Sequence, residues 1–85
     1  MTRSEILNLM NHVLEKRNKT KIIDENQTVR EVNFKSLDFP EVALRIETSI
    51  NEELFFDAAT MRNIKTVKDV LDFFESLTGN YRILS

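Results

Sequence analysis

Residues 34–47 read FKSLDFPEVALRIE, and they mark the point where a long polar segment ends and an amphipathic helix begins. Ser36 stands at this junction, where the start of a helix places a hydroxyl in water beside unpaired backbone N–H groups. Apolar residues recur along the helix at spacings of three and four, which predicts one buried stripe. The stripe consists of Phe39, Val42, Ala43, Ile46 and Ile50.

The sequence allows two starts for this helix. If Ser36 is the N-cap, Pro40 falls at the fourth helical position, where a backbone donor is lost. If Asp38 is the cap, Pro40 falls at the second position, where it costs nothing, and Asp38-x-x-Glu41 has the spacing of a capping box. The second start leaves Ser36 on an irregular lead-in turn. Both remain open at this stage.

The first half of the chain predicts one long helix and one long connection. Thr2-x-x-Glu5 has capping-box spacing and opens a helix that runs to about Arg17. Basic residues at its end suit the negative end of the helix dipole. Residues 18–35 form a connection that we expect four apolar side chains to hold against the core. They are Ile22, Ile23, Val29 and Val32.

The second half predicts a short helix followed by a long one. The central helix should end near residues 51–53, and Asp57 can cap a brief helix over residues 58–61. Residues 66–69 (TVKD) offer another capping-box start. Gly79 suits a helix stop, which leaves residues 80–85 as a tail. The expected fold is all-α: one domain over residues 1–85, with a core of about 4–77, and a four-helix bundle with a long first loop and a short third helix.

Composition and charge exclude several classes of protein. The 85 residues contain no cysteine, one histidine and one glycine, so thiolate chemistry, a Ser/His/Asp set and a glycine-rich phosphate loop are all disfavoured, as is a metal site. Residues 38–75 hold nine acidic and four basic side chains, which disfavours nucleic-acid binding. No apolar run is long enough for a membrane span. We expect a cytoplasmic, monomeric protein that is not an enzyme.

Two separated segments resemble the acyl carrier protein family. Lys35-Ser36-Leu37-Asp38 followed by Phe39-Pro40-Glu41-Val42 resembles that family's Asp-Ser-Leu-acid signature and its apolar-x-Glu-apolar helix. Residues 64–70 (IKTVKDV) resemble the start of the family's last helix. The order and lengths of the helices agree over residues 4–77. Two residues depart from the pattern, because Asn33 replaces a glycine and Lys35 replaces the aspartate. Asparagine tolerates the left-handed backbone conformation, so the turn can survive.

The resemblance implies a carrier of acyl intermediates in fatty acid, lipid or polyketide-type biosynthesis. Ser36 would bear a covalent 4′-phosphopantetheine, attached from coenzyme A by a phosphopantetheinyl transferase, and the cargo would be a thioester on its thiol. Synthases, transferases and ligases with basic docking patches would read one face of the central helix. The residues assigned to partner recognition are Lys35, Leu37, Asp38, Glu41, Leu44 and Glu47.

Two alternatives stay open. Ser36 could serve only as an N-cap, in which case the chain would be an unmodified helical interaction domain with a carrier-like pattern. The cargo could instead be an aminoacyl or peptidyl group, although the acidic central helix favours acyl cargo. Lys35, together with Asn33 and Pro40, indicates a specialised carrier with dedicated partners rather than a housekeeping one.

Overall fold

The computed structural model describes residues 2–55 and 58–84, and it describes side chains throughout these ranges except at 58, 60 and 79–84. Within these ranges there are four helices: α1 (Arg3–Lys16), α2 (Asp38–Ile50), α3 (Ala58–Met61) and α4 (Val67–Leu84). The predicted all-α class is confirmed. The predicted four-helix bundle is not confirmed as such: three helices are long, and α3 is a single turn of four residues. None of the helices in the described ranges combines the length and the apolar character needed to cross a membrane.

The core lies between the long helices, and α1 packs against both α2 and α4. The stripe predicted for α2 is buried at its first four positions, and Ile50 is partly buried against the same core. The helical spacing thus placed the inner faces correctly, and burial of these apolar faces is the main stabilising contribution. Among the described side chains, the buried apolar residues of the three helices are Ile6, Met10, Val13, Leu14, Phe39, Val42, Ala43, Ile46, Val67, Val70, Leu71 and Phe74.

The capping box predicted at the start of α1 is present. Thr2 Oγ1 accepts a hydrogen bond from the backbone N–H of Glu5 (3.2 Å), and the Glu5 carboxylate accepts one from the N–H of Thr2 (2.9 Å). Further along α1, His12 is exposed. The helix ends at Lys16, one residue before its expected limit.

The long connection is fixed to the start of α4 by backbone hydrogen bonds. The N–H groups of Val67 and Lys68 donate to the carbonyls of Gln27 and Glu25, each over 2.8 Å, and Val29 N–H donates to the carbonyl of Lys65 (2.9 Å). The loop therefore satisfies donors that the first turn of α4 cannot satisfy itself.

Apolar side chains hold the same loop from beneath, with one exception among those predicted. Ile22 and Val32 are buried and Val29 is partly buried, as expected. The prediction was wrong for Ile23, which is 85% exposed. The backbone N–H of Ile22 donates to the Asn11 side chain on α1 (2.8 Å), which orients Ile22 toward the core and leaves its neighbour facing outward.

Asparagine performs the task of glycine at three points in this glycine-poor chain. Asn18, Asn33 and Asn51 have positive φ angles of 60°, 61° and 57°. The next residue after each one donates its N–H to the carbonyl five positions back, as in a Schellman motif: Lys19 to Leu14, Phe34 to Val29 and Glu52 to Glu47. The expectation that Asn33 supports a left-handed turn is confirmed.

The start of α4 agrees with its sequence pattern, but its end does not. Thr66 Oγ1 accepts from the N–H of Asp69 (3.2 Å), and the Asp69 carboxylate accepts from the N–H groups of Lys65 and Thr66 (3.0 Å each). The predicted stop at Gly79 was wrong, because α4 continues through Gly79 to Leu84, so residues 80–84 are helical rather than a tail. Glycine inside a helix costs about 1 kcal/mol relative to alanine, which weakens a helix without ending it. The predicted cap at Asp57 lies outside the described residues.

We predict that Asp69→Asn will make stability less dependent on pH. Backbone hydrogen bonds from Lys65 and Thr66 hold the pKa of Asp69 below its ordinary value. A folded-state pKa below the unfolded value of about 4 stabilises the protein at pH values above that unfolded pKa. This stabilisation is lost as pH falls through the folded-state pKa. The variant should therefore melt at a lower temperature than the native chain at pH 7, and the difference should narrow toward pH 3. Glu52→Gln, at an exposed site, is the control. A constant difference across this range would contradict the prediction.

We also predict that Asn33→Ala will destabilise the fold by about 1 kcal/mol, because a β-carbon without a local hydrogen-bonding group disfavours the left-handed conformation. Asn33→Gly should preserve or slightly raise stability. Urea denaturation measures the free energy of unfolding of each variant. Equal losses in both would show that the Asn33 side chain, rather than its backbone conformation, matters.

Candidate functional site

Two phenylalanines anchor the turn that carries Ser36. Phe34 and Phe39 are 3% and 5% exposed, and their rings meet edge to face with centroids 4.9 Å apart. Between these anchors the chain turns outward, so Lys35, Ser36 and Leu37 are all exposed. The apolar contact beneath the turn thus holds the serine at the surface.

The start of α2 decides between the two positions that the sequence left open. The helix begins at Asp38, and its N-cap residue is Leu37, which makes no side-chain capping hydrogen bond. Ser36 is therefore not the cap, and within the described ranges its hydroxyl has no hydrogen-bond partner. Asp38 as the cap was wrong by one residue. Pro40 falls at the third helical position, where no intrahelical donor is lost.

Asp38 is fully buried and joins three parts of the chain. Its Oδ2 accepts from the backbone N–H of Lys35 (2.8 Å) and from Lys19 Nζ (2.9 Å), and its Oδ1 faces Arg17 Nε at 3.0 Å. Lys19 Nζ also donates to the carbonyl of Asn33 (2.8 Å). One carboxylate thus connects the segment after α1, the serine turn and the first residue of α2. The backbone closes the same turn, since Asp38 N–H donates to the carbonyl of Lys35 (2.8 Å).

The placement of Asp38 corrects the predicted recognition surface. We expected its carboxylate to face partners, but its exposed fraction is 0%. The physical reason is that Arg17 and Lys19 supply two cations at the end of α1, and a buried carboxylate requires such partners. From the sequence we expected these basic residues only to suit the helix dipole, and their role as partners of Asp38 was missed. Their only signal in the sequence is a cluster of positive charge before a helix that starts with an acid.

The other two predicted acids are also engaged. Glu41 is half-buried, and its Oε1 lies 3.6 Å from Lys16 Nζ and 3.5 Å from an Arg45 terminal nitrogen. Glu47 Oε2 accepts from the backbone N–H of Leu54 (2.7 Å), which ties the end of α2 to the following loop. The surface expected to attract basic partners is therefore not a row of free carboxylates.

The apolar members of the predicted surface are where we expected them. Leu37 is 73% exposed and Leu44 is 60% exposed, and both lie on the outer side of α2. Large apolar side chains in water at helical spacing are typical of a contact surface, although single ones are common. Lys35 lies beside Leu37 with its side chain exposed.

The comparisons with known proteins agree with this architecture. An acyl carrier protein from Thermotoga maritima, solved by crystallography, superposes on 93% of this chain and 93% of its own with a TM-score of 0.70, at 22% sequence identity. No protein-family model and no curated protein sequence matches the chain. The chain therefore has the fold of an acyl carrier protein. In this fold the turn before α2 carries the exposed Ser36, whose side chain does not cap the helix.

We predict that Asp38→Ala will destabilise the fold by about 3 kcal/mol. Removing one partner of a buried ion pair leaves an uncompensated charge and typically costs 3–5 kcal/mol, and Arg17 and Lys19 recover part of this because water reaches them. Glu41→Ala is the matched control and should cost less than about 1 kcal/mol, as for half-exposed pairs. Urea denaturation of both variants measures the two losses. Similar losses would show that Asp38 is not the specific connection described above.

Proposed function

We propose that this protein is a carrier of acyl intermediates, with 4′-phosphopantetheine joined covalently to Ser36. The observation that carries the proposal is the state of Ser36 itself. Its hydroxyl is exposed at the start of a long helix and takes no part in capping that helix. A serine with no structural task, held outward by two buried phenylalanines, suits a site of covalent attachment.

The residues around Ser36 fit a phosphodiester. The N-terminus of α2 offers backbone N–H groups and the positive end of a helix dipole, both of which favour an anion. Lys35 adds a positive charge next to the serine, while the Asp38 carboxylate is directed inward to its cations. Ser36, Lys35 and the first turn of α2 are the groups that would hold the phosphate.

The chain itself would present the attached group and its cargo to enzymes, rather than catalyse a reaction. It contains no cysteine, so a thiol for thioester formation would come from the attached group. A phosphopantetheinyl transferase would supply the base and the coenzyme A, and synthases, transferases or ligases would act on the cargo. We infer fatty acid, lipid or polyketide-type biosynthesis as the setting, in the cytoplasm, from the likeness of the fold.

The direct experiment is intact-mass measurement after incubation with coenzyme A and a broad-specificity phosphopantetheinyl transferase. We expect a gain of one phosphopantetheine per chain. Ser36→Ala should abolish the gain, and Ser4→Ala, at another exposed serine, should leave it unchanged. Circular dichroism should show the same helical content in all three proteins, since Ser36 caps no helix.

Lys35→Asp separates a specialised carrier from an unmodified domain. If the native chain gains no mass but Lys35→Asp does, the serine is competent and the charge at position 35 restricts which transferase acts. If neither gains mass, Ser36 is not an attachment site for this transferase class, and the chain is better described as an interaction domain. Equal and efficient modification of both would show that Lys35 does not select the transferase.

A further inference from the structure

Positive charge collects where the end of α1 meets the start of α2. The acids here are Glu15, Asp38 and Glu41, of which Asp38 is fully buried. The cations outnumber them by six to three. They are Lys16, Arg17, Lys19, Lys21, Lys35 and Arg45. This end of the molecule is therefore cationic, although the whole chain has a net charge of −2.

A groove of about 500 Å³ lies between α1 and α2 on the same side of the molecule. Leu9 of α1 and Leu44 of α2 form its apolar lining, and the charged residues Lys16, Glu41 and Arg45 line it as well. We call this feature the α1–α2 groove. Leu37 precedes Glu41 by one helical turn and extends the exposed apolar surface from the groove toward Ser36.

The guanidinium of Arg45 has hydrogen-bonding capacity to spare in this groove. Its side chain is 28% exposed, but its Nε, which has no acceptor among the described residues, is buried, so only the terminal nitrogens are within reach of a partner. Its contact with Glu41 is long, at 3.5 Å from a terminal nitrogen. Lys16 Nζ is likewise 3.6 Å from the same carboxylate, and its side chain is 64% exposed. One carboxylate thus serves two cations at the limit of ion-pair distance, and both retain donors that a further acceptor can use.

We propose that the α1–α2 groove and Leu37 bind a partner protein through an acidic, amphipathic segment. The leucines of the groove contact the segment's apolar side chains, and Lys16, Arg45 and Lys35 pair with Asp or Glu residues beside them. The charge of this site is opposite to what a run of acids on α2 suggests, because Asp38 is buried and Glu41 is already paired. The proposal goes beyond attachment at Ser36 and does not require it.

Other occupants suit the surface less well. A basic segment would meet an excess of cations, and its natural site is the acidic group at the far end of α2, where Glu47, Glu52 and Glu53 lie together. A nucleic acid would need a longer basic stripe than one helix end provides, with fewer acids elsewhere on the surface. Electrostatic complementarity selects between such partners mainly because it raises the rate of encounter with the oppositely charged partner and disfavours a partner of like charge.

The test uses the unmodified chain, isotopically labelled, and two synthetic helical peptides. One peptide repeats Glu and Leu so that leucines line one face, and the other replaces every Glu with Lys. Titration by heteronuclear NMR should show saturable, salt-sensitive shifts for the Glu/Leu peptide at Leu9, Lys16, Leu37 and Leu44. The Lys/Leu peptide should leave these residues unshifted. Because Ser36 is not modified in this experiment, failure here is distinct from failure of the carrier function.

A double variant, Lys16→Glu with Lys35→Glu, should weaken binding of the Glu/Leu peptide by about tenfold or more, which corresponds to about 1.4 kcal/mol. Lys65→Glu with Lys68→Glu changes the net charge equally at exposed sites outside the groove, and it should change the affinity by less than about twofold. Equal loss in both variants would overturn the proposal. So would shifts confined to other surfaces, equal binding of both peptides in the groove, or tighter binding there of a single-stranded oligonucleotide.

Discussion

The carboxylate of Asp38 is the interaction on which the start of α2 depends. It is buried, and it accepts hydrogen bonds from Lys19 Nζ and from the Lys35 backbone N–H. Arg17 Nε lies 3.0 Å from its other oxygen. A buried charge is tolerated only when such partners surround it. Because those partners come from the segment after α1 and from the turn itself, the start of α2 depends on the placement of both. The phenylalanine contact beneath the turn then supplies apolar support for the same geometry.

Among the four residues 36–39, two side chains are exposed and two are buried. Asp38 and Phe39 point inward, whereas Ser36 and Leu37 point outward. The two outward residues are exposed to solvent, and the two inward residues are at most 5% exposed. A serine at the start of a helix usually has to serve as its cap. Here Leu37 occupies the cap position without a side-chain bond, and the Asp38 carboxylate binds the N–H of Lys35 instead, so the hydroxyl remains available.

The sequence predicted what depends on local pattern and missed what depends on contacts between distant segments. The stripe from Phe39 to Ile46, the capping boxes at Thr2 and Thr66 and the left-handed Asn33 follow from spacing or from the conformational preference of one residue. Burial of Asp38 follows from Arg17 and Lys19, which are about 20 positions away, and no periodicity reveals that pairing. In the sequence of an amphipathic helix, acidic residues give the pattern of a solvent-exposed face whether their carboxylates are free or paired. Gly79 was misjudged because a residue of low helix propensity weakens a helix but does not by itself end it.

The backbone of Lys35, rather than its side chain, closes the turn that carries Ser36. The Lys35 N–H and carbonyl both bond to Asp38, so the turn is closed by main-chain atoms that any residue except proline supplies. The exposed ammonium group can therefore differ from the carboxylate of the carrier pattern without a structural penalty. Position 35 consequently affects the field that an approaching protein meets rather than the shape of the site. With Asp38 turned inward, Lys35 and the cations of the α1–α2 groove, together with Glu41, carry the charge of this surface.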